Sequence, residues 1–452
     1  MFGIPVSWKE VAMLFSATCT KVRSCVVFAH RGNVINATFL LTRALATSAK
    51  ETQQNDELII LAKNYAKDDN TNVTSSILSK VGKNLPHIPN HPLKILKDNI
   101  HEFMYASHRR HGNGPLFTMV DNIPPVVTIE QNFDSLLVPK NHVSRSRNDN
   151  YYINNNHMLR AHTSAHQVDL MRTGLDAFLV TGDVYRRDEI DKNHYPVFHQ
   201  MEGVRLFTKY ELYKQLKDPL ELFDRNGERT DHNQAVHTTD SVKMVEFDLK
   251  NTLSGIVENL CGKDVEMRWV DTYFPFTHPS WELEVNFNNE WLEVLGCGVM
   301  EQELLNRAGA IDQIGWAFGI GLERLAMRLF NIPDIRLFWS EDTRFLEQFC
   351  DGKINEFKPF SKYPPTYKDI AFWTPEGFSS NDLCEVIRNA AGDIVEKVEQ
   401  IDSFIHPKTR EESQCYRITY RAMDKTFHAD EINAIQDQVR DELKNKLQLK
   451  LR

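Results

Sequence analysis

The run Gly315-Trp316-Ala317-Phe318-Gly319-Ile320-Gly321-Leu322-Glu323-Arg324-Leu325-Ala326-Met327 constrains this chain most. A glycine-rich stretch feeds a helix whose apolar face is Leu322, Leu325, Ala326 and Leu329. Glycines let a backbone approach a ligand closely, and a helix start favours anions. The glycines are spaced neither as a dinucleotide fingerprint nor as a P-loop. Arg324 falls in the first turns, where its charge opposes the helix dipole, so it points to an anionic partner such as a nucleotide phosphate.

Two further segments carry chemistry. Phe178 to Glu189 and Pro196 to Val204 read as antiparallel strands joined by a charged loop at 187–195. Alternation puts Phe198, Gln200 and Glu202 on one face, an aromatic surface beside an amide and a carboxylate. That suits a pocket with a stacking wall and acceptors for an ammonium group. Arg186, at the strand end, could hold a phosphate with its planar fork of donors. An exposed hairpin with surface charges is the plainer alternative. The second segment runs from Phe274-Pro275-Phe276 through Trp281-Glu282-Leu283-Glu284-Val285 to Trp291-Leu292-Glu293-Val294-Leu295-Gly296-Cys297-Gly298. Pro275 holds Phe274 extended, so both rings can face one side and favour an aromatic ligand, each contact worth roughly 0.5–1.5 kcal/mol. Core packing explains such pairs as well. Glu282 and Glu284 lie opposite the Trp281/Leu283/Val285 face, able to reach a magnesium ion or simply solvent. A fourth stretch, Leu159-Arg160-Ala161-His162-Thr163-Ser164-Ala165-His166-Gln167, offers hydrogen-bonding side chains before a helix, with Ser164 as a cap the plainer reading. No HExxH pattern supports a metal at His162 and His166.

Composition sets the frame. With 452 residues, two or three units are expected. No apolar run is long enough to span a membrane. The seven cysteines form no CxxC pair or zinc spacing, which argues for reduced thiols and against a structural metal. A net charge of −9 confines any nucleic-acid contact to local patches. The first fifty residues differ: Lys9, Lys21, Arg23, Arg31, Arg43 and Lys50 are opposed only by Glu10, the pattern of an organelle transit peptide or a basic arm.

Residues 346–360 read as a connector to a last unit with the order β-α-β-β-α-β, the ferredoxin-like arrangement. Along it Tyr416, Ile418 and Tyr420 face the core, while Arg417, Thr419 and Arg421 face an open side where RNA could lie, or are solvated surface groups.

Together these segments resemble the class II aminoacyl-tRNA synthetases. Arg186-Arg187-Asp188 with its loop looks like their second motif, and Gly319-Ile320-Gly321-Leu322-Glu323-Arg324 like their third; a first motif is only faint near His91-Pro92-Leu93. The combination is similar to the phenylalanine-specific family in its single-chain organellar form, across about residues 90–452. The resemblance implies an α+β fold: an antiparallel sheet flanked by helices in a catalytic domain at 51–345, and a ferredoxin-fold anticodon-binding domain at 361–452, after a transit peptide at 1–50. It implies Arg186 and Arg324 as catalytic groups on ATP, with Asn193, His194, Tyr195 and Phe198 around the nucleotide. It implies a phenylalanine site of His162, Ser164, Ala165, His166, Gln167, Gln200, Glu202, Phe274, Phe276, Glu293, Ala317 and Phe318. Mg2+, with Glu282 or Glu284 as possible ligands, and tRNA(Phe) complete the set, for a monomer in the mitochondrial matrix. An inactive relative that only binds tRNA, and a ligase for another amino acid, are the competing readings.

Overall fold

The computed structural model describes residues 57–214, 220–359, 363–422 and 425–452. The segment 1–50, read above as a transit peptide, lies outside the described residues. A hairpin of β1 (Glu57–Ile60) and β2 (Lys63–Ala66) comes first. The Pro92–Ser107 helix then starts on a proline, with His91 Nδ1 accepting from the Leu93 N–H at 3.2 Å. Its Leu93, Leu96 and Ile100 are fully buried, as their spacing predicts.

After β3 (Thr118–Val120) and the short pair β4 (Val126–Thr128) and β5 (His157–Leu159), the main strands follow. They are β6 (Ala177–Tyr185), β7 (Val197–Thr208), β8 (Met267–Phe274), β9 (Thr277–Phe287), β10 (Glu290–Met300) and β11 (Gln313–Gly321). They form a seven-stranded sheet in the order β3-β6-β7-β11-β10-β9-β8. Every neighbouring pair is antiparallel except β3 with β6, so the expected antiparallel sheet carries one parallel edge strand. The Thr239–Cys261 helix packs on β10 and β11, and the Leu322–Leu329 helix on β7. Strand alternation then sorts the side chains. On β7, His199 and Met201 turn towards the helices, while Phe198, Gln200 and Glu202 turn to the opposite face.

The expected connector is anchored rather than loose. Phe345, Phe349 and Phe357 are buried with Phe330 in the main core, and the Phe330 and Phe349 rings meet edge-on at 5.3 Å. Beyond it β12 (Thr366–Trp373), the Ser380–Ala391 helix, β13 (Val395–Ile405), β14 (Glu412–Tyr420), the Ala429–Leu447 helix and β15 (Lys450–Leu451) build a four-stranded antiparallel sheet, order β13-β14-β12-β15. This is the ferredoxin-like unit expected. Tyr416, Ile418 and Tyr420 are core, as read from their alternation. The other face needs one correction: Thr419 is buried, because its pleat neighbours Tyr367 and Lys397 flank it across the strands. Arg417 pairs with Asp369 at 2.9 Å and Arg421 with Glu396 at 3.1 Å. No helix among the described residues is long and apolar enough to cross a membrane.

Candidate active site

The sheet face away from the long helices holds two adjoining cavities of about 280 Å³ each. Glycines open them. Gly296 on β10 and Gly319 on β11 are direct cross-strand partners. A Cβ on Gly296 would strike the Phe274 ring at 2.7 Å, whereas one on Gly319 would meet nothing within 4 Å. The missing Gly296 side chain therefore makes room for Phe274, and the missing Gly319 side chain leaves empty cavity.

The first cavity has an aromatic wall and a polar end. Phe274 and Phe276 stack at 6.0 Å, and His162 continues the stack on Phe276 at 6.5 Å. Ala317 and Thr277 lie on the same wall. At the polar end Glu202 is fully buried and accepts from Ser164 Oγ at 2.7 Å, Thr163 Oγ1 at 3.1 Å and the Gln167 amide. Burial pushes the Glu202 carboxyl up to about 7, against the opposing pull of these three donors. Burial likewise pushes His162 down to about 3, aided by the nearby Arg186 charge, so its ring is neutral.

Basic side chains line the second cavity, Arg186, Arg324 and His194, together with Asn193, Tyr195, Phe198, Gly321, Glu323 and Ile335. Arg186 is half-buried, donates from Nε to the Ala161 carbonyl at 2.8 Å, and lies 5.1 Å over the Phe198 ring. Its own burial lowers its proton affinity, and Arg324 facing it adds to that. Arg324 is half exposed and touches Glu293 at 3.3 Å. His194 is held by Asp191 at 2.8 Å, a bond that raises its pKa. Four residues, Arg186, Gln200, Glu293 and Gly319, line both cavities.

Residues 77–227 and 232–349 match the family described as tRNA synthetases class II core domain (F), and residues 361–452 the ferredoxin-fold anticodon binding domain. Among curated proteins, mitochondrial phenylalanine–tRNA ligase of Mus musculus is 56% identical over 404 residues, 88% of this chain and 89% of that protein. The chain belongs to the phenylalanine–tRNA ligase family. A probable mitochondrial member from Drosophila melanogaster is 48% identical over 425 residues (88% of this chain, 94% of that one), and one from Saccharomyces cerevisiae 40% over 437 (84% and 92%). A class II synthetase uses ATP as a substrate, and this site has two compartments with a common wall.

Most of the residues expected for the family's site come together here, and four need correction. Ala165 and His166 are absent from the cavity wall. The 3-10 turn Thr163–His166 turns Ser164 and Gln167 to Glu202 but Ala165 into the core, and His166 Nε2 to Arg160 at 2.9 Å. Phe318 borders the first cavity while its ring belongs to the core, against Trp316 at 5.8 Å and over Gly203. Neither Glu282 nor Glu284 reaches either wall; Glu284 is bound by Arg268 at 2.5 Å. Among the described residues no cluster of three His, Cys, Asp or Glu is set to hold a metal. Among the lining residues missed were Thr163, Thr277, Gly296, Gly319, Asp188, Glu323 and Ile335. Thr163 was adjacent to a chosen residue, but Gly296 and Ile335 depend on cross-strand register and a distant turn.

Proposed function

We propose that the two cavities divide the first half-reaction of a phenylalanine–tRNA ligase between them, the first taking phenylalanine and the second ATP. The observation that carries this reading is the common wall of Arg186, Gln200, Glu293 and Gly319. A reaction joining two substrates needs one place where their reacting atoms meet. Phe274 and Phe276 take the phenyl ring, Ala317 leaves room at its far end, and Gln200, Glu202, Ser164 and His162 surround the ammonium. Phe198 stacks on adenine, with His194 over it and Asn193 and Tyr195 beside it. Arg186 holds the α-phosphate and Arg324 the outer phosphates of a bent nucleotide.

Chemistry then needs no side-chain nucleophile. A phenylalanine carboxylate oxygen attacks the α-phosphorus, the bond to the bridging oxygen breaks, and pyrophosphate leaves, giving the phenylalanyl adenylate. Positioning by the cavity walls and neutralisation of phosphate charge by Arg186 and Arg324 supply the acceleration. A hydroxyl of the terminal tRNA adenosine, the 2′ one as the family resemblance implies, then attacks the acyl carbon and AMP leaves. Glu293, which lines both cavities, is the carboxylate that would hold a magnesium ion arriving with ATP. Glu282 and Glu284 lie outside both walls, and Glu284 is committed to Arg268. When bound, the ion offsets phosphate charge.

Residues 361–452 would bind the anticodon arm of tRNA(Phe), after a catalytic domain at 51–345 and a connector at 346–360. Residues 1–50 would direct the chain to mitochondria as a transit peptide, and it would work as a monomer in the matrix. Amino-acid-dependent ATP–pyrophosphate exchange, run with each proteinogenic amino acid, tests the reading. Phenylalanine should give the strongest exchange. An apolar pocket rejects the added hydroxyl of tyrosine by only about a hundredfold, so tyrosine is the sensitive control. Preference for tyrosine, or no exchange at all, would overturn the assignment.

A further inference from the structure

Behind the nucleotide cavity lies a buried column that the chemistry above does not use. Glu323 sits in the first turn of the Leu322–Leu329 helix, next to Arg324, and lines the cavity. Its carboxylate turns back to β7, where Oε2 accepts from the His199 backbone N–H at 2.8 Å and Oε1 lies 2.7 Å from His199 Nδ1. A carboxylate only accepts, so Nδ1 carries the proton. Both side chains are buried. His199 lies between Phe198 and Gln200 on β7, and its ring stacks on Trp339 at 6.0 Å. Trp339 stacks in turn on Tyr195 at 5.5 Å, and Lys80 Nζ sits 5.0 Å from both of these rings. The turn carrying Trp339 is hooked to the nucleotide loop through the Ile335 N–H and the Lys192 carbonyl, 2.8 Å.

We propose that Glu323, His199 and Trp339 form a brace that sets the nucleotide site, and are positioning residues for the adenylation step. The inference rests on the reading of that cavity as the ATP site. Three parts of the cavity come from separate chain segments: Arg324 from the helix start, Phe198 from β7, and Asn193 to Tyr195 from the loop end. Glu323 clips the helix to β7 at the residue beside Phe198, and Trp339 carries the contact from His199 to Tyr195. The clip also holds an anion that lines the cavity away from the place a triphosphate takes. The phenylalanine cavity is tied separately, by the bonds from Thr163, Ser164 and Gln167 to Glu202.

The test is ATP–pyrophosphate exchange with ATP titrated at saturating phenylalanine and the reverse, for the parent, Glu323→Ala, Glu323→Gln and Trp339→Leu. Glu323→Ala should raise KM for ATP about tenfold or more and leave KM for phenylalanine within about twofold. Glu323→Gln still offers an oxygen to the His199 N–H and should recover most of that loss. Trp339→Leu should raise KM for ATP by a smaller factor. An unchanged KM for ATP in Glu323→Ala, or equal rises in both KM values, overturns the brace. Should Glu323→Ala fail to fold, normal ATP kinetics in both Glu323→Gln and Trp339→Leu overturn it. An inactive parent sinks the assignment of the cavity itself, whereas an active parent with indifferent variants sinks only the brace.

Discussion

The two cavities share a wall yet are built differently. The phenylalanine side stands mostly on the middle of paired strands: Gln200 and Glu202 on β7, Gly296 on β10 and Ala317 on β11, with ladder bonds on both sides. The nucleotide side is assembled from a strand end, a loop, a helix start and a distant turn, and its Arg324 is half exposed. A cavity on regular strands is rigid before the ligand arrives; one made of chain ends must be held by contacts behind it. Selectivity for the amino acid should therefore be insensitive to distant changes, and the handling of ATP sensitive to them.

The largest effect should come from the charged side. Arg324→Ala should lower exchange by about a thousandfold or more, the scale of arginines that meet phosphoryl charge, with the melting temperature little changed because the side chain is half exposed. Near-normal exchange would remove Arg324 from the site. Gly319→Ala comes next. It puts a methyl into the empty space where both cavities meet, without meeting protein atoms, so the fold should survive while kcat/KM for both substrates falls by about a hundredfold. Loss for one substrate alone would break the claim of a common wall.

The phenylalanine side gives a pH signature. Glu202 is raised from 4.5 to about 7, so the folded chain holds that proton where the unfolded chain has lost it. The stability from this group is full below about pH 4.5 and is lost as pH rises through about 7. An ammonium ligand needs the carboxylate, so affinity for phenylalanine should rise between about pH 6 and 8, with a proton released on binding. Calorimetry in buffers of different ionisation enthalpy reads that proton. Glu202→Gln should abolish the release, flatten the melting profile over that range, and weaken phenylalanine binding about 10- to 100-fold. An unaltered proton count would detach Glu202 from the ammonium.

Legibility in the sequence follows the same division. Period-two alternation placed Phe198, Gln200 and Glu202 on one face, and the two phenylalanines around Pro275 did stack. The residues implied by the resemblance fell off the wall where a tight turn replaced a regular element, as at Ala165 and His166. Ile335 could not be read at all, because it joins the cavity through a bond to Lys192 across a large span of chain. The loop at 187–195 had an exposed hairpin as its plain alternative. Instead Arg187 pairs with Asp382 at 2.9 Å, Arg388 reaches the Asp188 carbonyl at 2.9 Å, and Ile190 is buried in the core of the C-terminal unit. No periodicity within a segment reports a partner two hundred residues away.

The smallest effect expected lies on the open sheet face of the C-terminal unit. Arg417 is an exposed side chain paired with Asp369, and solvent screens such a pair, so replacing it should leave the fold intact. Arg417 is remote from both cavities, which means that ATP–pyrophosphate exchange by Arg417→Ala should match the parent within about twofold. If this face carries RNA, the same substitution should lower aminoacylation of tRNA about threefold at low salt, and the difference should shrink as salt rises, because one phosphate contact fewer releases one counterion fewer. Equal aminoacylation by variant and parent at every salt concentration would assign the anticodon arm to another surface. A parallel fall in exchange would mean that the two regions are coupled more tightly than a rigid strand-built cavity allows.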